Sequence, residues 1–262
     1  MKRLVLAIVV LLAGCGAEVA GEPPASYAPD ELVLQVRTSG GLVPVETLVT
    51  AVPEISVYGD GRVITPGAAS HRYPAPAVPN LEVRRTTPEN VRKLAKRALE
   101  AGVGNGADLG TPQVMDAGAT MITVRAEGGL LTSDAPALGV DDGLSMSQRQ
   151  ARRRLSDLVR YLRELPLGAS VAYEPRLVAA VGREWVERQG EVPAVDFPGA
   201  SLPGGLVGGL GVPCLVTEAG PVLAAGRSAD ARTPWLSGGR RWAVSFRVLL
   251  PHELSCEDLV RR

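Results

Sequence analysis

Apolar and polar positions alternate with a period of two in several short stretches and recur near every 3.6 residues in two longer ones, so the chain mixes strands with amphipathic helices. Over residues 31–38, Leu32, Leu34 and Val36 fall on one side and Gln35 and Arg37 on the other, which predicts a half-buried strand. Ile55-Ser56-Val57-Tyr58 and Arg62-Val63-Ile64 flank Gly59-Asp60-Gly61 and predict a hairpin, because Gly tolerates positive φ and Asp does so better than most residues. Residues 66–79 form a Pro/Ala loop before a short strand over 81–85. Thr87-Pro88-Glu89 opens a helix: Thr87 is the cap, Pro88 stands where no amide is needed, and Glu89 faces the positive end of the dipole. Val91, Leu94, Ala95, Ala98 and Leu99 line one face of it until Gly102. Residues 121–126 then put Ile122, Val124 and Ala126 on one face, and Gly128-Gly129 turns the chain back through 130–133.

Ser145-Met146-Ser147-Gln148 is a capping box, and the stripe Ala151, Leu155, Leu158, Leu162, Leu165 carries a second helix to Pro166. Short strands are expected over 171–173 and 177–181, loop over the Gly- and Pro-rich 186–213, and a short helix over 217–229 capped by Thr217. Residues 241–250 alternate again, with Trp242, Val244, Phe246 and Val248 on one face. The elements do not follow a βαβ rhythm. The expected fold is therefore α+β, a largely antiparallel sheet with two long helices and one short helix packed against it. Residues 31–262 are read as a single globular domain, with a division near 136–145 as the alternative.

At the N-terminus, Lys2 and Arg3 precede the apolar run 4–13, which is shorter than the roughly 20 residues a membrane span needs and matches a secretory signal. Leu12-Ala13-Gly14-Cys15 resembles a lipobox, the signal peptidase II site of bacterial lipoproteins. The resemblance implies that residues 1–14 are a signal peptide and that Cys15 carries diacylglycerol. The protein is then expected at the extracytoplasmic face of the cell membrane, with the Pro-rich residues 15–30 as a flexible tether. The alternative is an ordinary secretory signal in which Cys15 is incidental. For an exported domain, pairing the remaining Cys214 and Cys256 is the simplest arrangement; free thiols or a metal pair are the alternatives, and no close Cys or His completes a zinc site.

With 28 basic and 28 acidic residues there is no net charge to attract nucleic acid, and with 4% aromatics there are few platforms for stacking bases. Hydrophobic residues at 45% against 21% charged exclude a disordered chain. Only Lys2, Lys93 and Lys96 are lysines, so a GC-rich genome accounts for much of the Arg richness.

Only His71 and His252 could transfer protons near neutral pH. His252 precedes Glu253 and stands four residues before Cys256, which permits a metal reading but fits a surface His near a disulfide better. There is no His-Glu-x-x-His, Gly-x-Ser-x-Gly or Ser-x-x-Lys. The glycines of 204–211 lack the Gly-Lys-Ser/Thr of a phosphate loop, and Asp141-Asp142-Gly143 has too few oxygens for a calcium loop. Arg149, Arg152, Arg153, Arg154, Arg160 and Arg163 crowd the second helix against Asp157 and Glu164. The expected role is a solvated face whose Arg stems cover apolar surface; the sharper reading is contact with anionic headgroups or an acidic envelope partner.

Thr233-Pro234-Trp235-Leu236-Ser237-Gly238-Gly239, the run 246–251 with Cys256, residues 58–64 and Tyr173-Glu174-Pro175 resemble secreted actinobacterial lipoproteins. That resemblance implies export and a shared fold and brings no functional residues. No catalytic residue, cofactor or metal is expected. The partners expected are the membrane, through the lipid anchor, and an unknown envelope protein or ligand. The leading reading is a non-enzymatic binding or interaction module; an exported hydrolase with an unrecognised site is the alternative.

Overall fold

The computed structural model describes residues 21–71, 73–187 and 193–260; Cys15 and the proposed signal segment lie outside them. A first sheet runs in the order β6 (Gly129–Pro136), β5 (Gly118–Ala126), β1 (Leu32–Gly40), β2 (Ile55–Tyr58), β3 (Arg62–Pro66), β4 (Leu81–Arg85) and β7 (Val171–Ala172). Each of its neighbouring pairs is antiparallel. A second sheet runs β10 (Gly205–Val207), β11 (Val212–Glu218), β8 (Leu177–Glu184), β13 (Arg240–Val248), β12 (Trp235–Ser237), β9 (Val195–Asp196), parallel only between β12 and β9. Five helices accompany them: α1 (Val45–Thr50), α2 (Pro88–Glu100), α3 (Met146–Arg163), α4 (Ala219–Gly226) and α5 (Cys256–Val260).

The fold is thus mixed α+β with mostly antiparallel sheets, but it has two sheets and five helices in place of one sheet and three helices. The extra helices have 6 and 5 residues, too few turns to show a helical period. The Gly- and Pro-rich stretch read as loop supplies β9, β10 and the start of β11, with the glycines of 208–211 turning the β10–β11 hairpin. Thr217 lies in β11 and caps nothing; α4 follows Glu218 without a side-chain cap.

Three buried clusters organise the layers. Val91, Leu94, Ala98, Leu155, Leu158 and Leu162 of α2 and α3 cover Val33, Leu34, Val36, Val57 and Val124 of the first sheet. The other face of that sheet gives Leu32, Tyr58, Ile64 and Leu81 to a cluster with Val178, Ala180, Trp235, Phe246 and Val248 of the second sheet. The far face of the second sheet packs Ala179, Val181, Cys214 and Leu249 against Val49 of α1 and Leu259 of α5. The first sheet is covered on both faces, which is why all four β2 residues are buried and its hydrophobicity reads as a run. Leu32 and Leu34 enter different clusters although two residues apart, because the β1–β2 register shifts between them.

The β2–β3 turn needs its two glycines for different reasons. Gly61 has φ +87°, outside the range of most side chains. A Cβ on Gly59 would lie 2.1 Å from the Ala28 carbonyl oxygen, so this glycine makes room for the preceding segment to pass.

Candidate functional site

The alternation of β13 sends Trp242, Phe246 and Val248 into the cluster between the sheets and turns Arg247 toward α1. Arg247 is 1% exposed and its partner Glu253 is 5% exposed. The guanidinium Nη2 donates to Glu253 Oε1 at 2.9 Å, Nε donates to the Ala51 carbonyl at 3.2 Å, and Nη1 donates to the Val248 carbonyl. Glu253 Oε2 accepts the Leu250 amide at 2.7 Å. Burial pulls the Arg247 pKa down and pushes that of Glu253 up, while each charge works against the shift in the other. The donors and acceptors around the pair favour its charged form.

Tyr58 and His252 meet beside this pair, with the phenol oxygen 2.8 Å from Nδ1. Burial, reinforced by the positive charge of Arg247, lowers the His252 pKa to about 4, and burial followed by Glu253 raises Tyr58 well above the phenol range. At neutral pH both groups are therefore uncharged. The Tyr58 hydroxyl and His252 Nδ1 share one hydrogen bond, in which either group can be the donor according to the imidazole tautomer. Tyr173, with its pKa pushed up to about 12 by burial, donates to the Leu249 carbonyl at 3.0 Å.

Chemically, this cluster locks the C-terminal segment rather than moving protons. His252 Nδ1 is engaged by a phenol that does not ionise near neutral pH. Among the described residues His71 sits exposed on its loop without a hydrogen bond or ion pair. Neither histidine is bonded to a Ser or Cys side chain there, and no group of three or more His, Cys, Asp or Glu is placed to hold a metal. A recess of about 110 Å³ between Arg62, Tyr173, Arg176 and Glu253 adjoins the cluster.

A larger cleft, of about 450 Å³, opens where β1 and β5 meet α1, α5 and the β10–β11 turn. Leu48, Val49, Met121, Leu210 and Leu259 form apolar walls, with Arg37 and Asp134 as its charged residues. Its volume falls within the range common to small-molecule clefts. Arg37 is held in place by donating to the Leu259 carbonyl at 3.3 Å.

The sequence-predicted residues fall as follows. Cys214 and Cys256 form a disulfide with Cα atoms 6.2 Å apart, joining β11 to α5. It closes the back of the second sheet, beside Ala179, Val181 and Leu259. Ser145 and Gln148 make both bonds of the capping box, at 3.3 and 2.8 Å. The Asp141 turn leads into that cap, with its carboxylate 4.0 Å from Arg152 Nε.

Arg152 itself departs from the expectation of a solvated face. It is 1% exposed, on the same side of α3 as Leu155 and Val159. Nη1 donates to the Leu109 carbonyl at 3.1 Å, and Nη2 is directed at the carbonyls of Pro136, Ala137 and Val140 at 2.8, 2.6 and 3.3 Å. Arg153 and Arg154 are exposed as predicted.

Arg247 and Glu253 were not legible as a pair. The available signal was a lone charge inside the apolar run Phe246-Arg247-Val248-Leu249-Leu250, which a strand buried on both faces tolerates only when the charge is satisfied. Comparison with protein families, curated proteins and solved structures finds no match for this chain.

Proposed function

We propose that this chain is an exported protein anchored by lipid at Cys15 on the outer face of the cytoplasmic membrane, where it acts as a binding or interaction module. The observation that carries this reading is the Cys214–Cys256 disulfide, which suits an oxidising compartment and agrees with the secretory signal read from residues 1–14. Among the described residues no helix is long and apolar enough to cross a membrane. A diacylglyceryl group supplies two chains, enough for stable anchoring where one chain gives only marginal binding.

Binding rather than hydrolysis is supported by the state of the histidines: His252 is neutral and engaged by Tyr58, and among the described residues His71 has no carboxylate to orient it. The cleft beside Arg37 is the place for a small ligand. Labelling cells with a radioactive fatty acid tests the anchor. The native chain is expected to take up label and sediment with membranes, and Cys15→Ser is expected to lose both; label retained by Cys15→Ser overturns the reading.

A further inference from the structure

We infer that the exposed face of α2 and α3 docks on anionic lipid headgroups, an inference that rests on the proposed anchor at Cys15. The first observation is charge. Arg97, Arg153 and Arg154 are exposed and have no acidic partner among the described residues, whereas Lys93, Lys96 and Arg160 are matched by Glu89, Glu100 and Asp157. Arg97 sits over Tyr161 with its guanidinium carbon 3.7 Å from the ring centroid, which holds the group in place on the exposed face. An open groove of about 560 Å³ runs between the helices, with four basic residues, Lys93, Lys96, Arg97 and Arg154, and two acidic ones, Glu100 and Asp157, along it. It is broad enough for phosphate headgroups and too open to enclose a small ligand.

The second observation is where the chain leads. Glu22 offers its carbonyl to the Glu127 amide at 3.0 Å, and the Ala25 carbonyl accepts from Arg92 Nη1 at 3.3 Å. Tyr27 packs into the cluster under α2 and α3. The segment expected to be a free tether is therefore laid along the edge of the helical layer from Gly21 onward. Five residues lie between Cys15 and Gly21, so six Cα-to-Cα steps give a reach of about 20 Å. That is about the length of a 13-residue helix, so lipid on Cys15 places the bilayer within reach of α2, where Arg92 and Lys96 stand one turn apart. Anchoring raises the local concentration of headgroups enough for weak charge contacts to be occupied. It also gives the protein a fixed orientation, with the helical layer toward the membrane and the second sheet away from it.

The test uses the mature chain carrying Cys15→Ser, so that no lipid masks the contact, titrated with vesicles of phosphatidylglycerol and phosphatidylcholine or of phosphatidylcholine alone. Binding is expected only to the anionic vesicles and is expected to weaken with salt. Arg153→Glu with Arg154→Glu should weaken it about thirtyfold or more. Arg183→Glu with Arg227→Glu, the same charge change on the side of the second sheet, should weaken it far less. Lys93→Glu with Lys96→Glu replaces the first pair if that variant fails to fold. No binding to anionic vesicles, or equal loss in the helical and control variants, overturns the inference. Unchanged vesicle binding with loss of a crosslinked envelope protein also overturns it and assigns the face to a protein partner. Lipid labelling of the native chain reads the anchor separately: label without vesicle binding defeats the docking face alone, and vesicle binding without label defeats the anchor alone.

Discussion

Two arginines, Arg152 under the helical layer and Arg247 in the second sheet, are each 1% exposed and are satisfied in opposite ways. Arg152 is held by neutral carbonyl oxygens from the loop before β5 and the segment after β6, with Asp141 no closer than 4.0 Å. Arg247 is matched by a buried carboxylate and surrounded by titratable side chains. A charge held by dipoles has no partner to lose by protonation, whereas a charge held by an ion pair depends on every group that tunes the pair. The contribution of Arg152 to stability should accordingly be indifferent to pH where that of the C-terminal cluster is sensitive to it.

The sharpest way to break the comparison is Arg152→Glu. It replaces a cation with an anion facing the same carbonyl oxygens, and it is expected to cost more than about 5 kcal/mol or to abolish cooperative unfolding. Urea melts followed by circular dichroism measure it; a stability within about 1 kcal/mol of the parent would show that the side chain can swing to solvent. Arg152→Met, which leaves the acceptors unpaired without adding charge, should cost less than the reversal.

Next in size is Glu253→Ala, which strands Arg247 and is expected to cost about 3–5 kcal/mol. Replacing both residues, as Arg247→Met with Glu253→Leu, should recover most of that loss, since a buried ion pair and an apolar pair of similar volume are often close in stability. A double variant as unstable as Glu253→Ala would mean that the bonds from Arg247 to Ala51 and Val248 matter more than the ion pair.

These two sites also mark how far the sequence could be read. The capping box at Ser145 and the Thr87 cap were legible because a cap needs only residues within one turn, and both form. The apolar stripe of α3 was legible for the same reason. Arg152 was not, because it lies between Ala151 and Arg153 in a run of arginines, and what buries it is the carbonyls of residues 109 and 136–140, remote in sequence. In the second sheet β8 and β13 were legible, but β9 and β10 escaped notice because they have 2 and 3 residues, too short for any period, and form through partners such as Trp235 and Cys214. Of the candidate site, the cysteine pair could be read from compartment logic, while Tyr58, Arg247 and Glu253 come together only when the two sheets pack face to face.

A pH titration sharpens the contrast at a size of roughly 3 kcal/mol. His252 has a pKa near 6.5 when unfolded and about 4 when folded, so the unfolded chain binds more protons between those values. The stability it contributes is fully present above about pH 6.5 and is lost as pH falls toward 4. His252→Gln, whose amide oxygen can still accept from Tyr58, should flatten that slope. Arg152→Met should leave the slope unchanged, since carbonyl oxygens do not titrate. An equal slope in the native chain and in His252→Gln would assign the acid sensitivity to other groups.

The smallest effect is the most diagnostic for α3. Arg153 follows Arg152 directly, so helix geometry rotates it about 100° around the axis and takes it out of the carbonyl cage into solvent. It has no acidic partner among the described residues, and an exposed charge of that kind is worth under about 1 kcal/mol. Arg153→Glu should therefore shift the melting temperature by no more than a few degrees while Arg152→Glu, one residue away, is severe. If Arg153→Glu were equally damaging, the helix would be less sharply divided between a buried and a free arginine, and loss of membrane docking in such a variant could no longer be separated from loss of fold. A small shift leaves the charge of Arg153 free for what lies outside the protein.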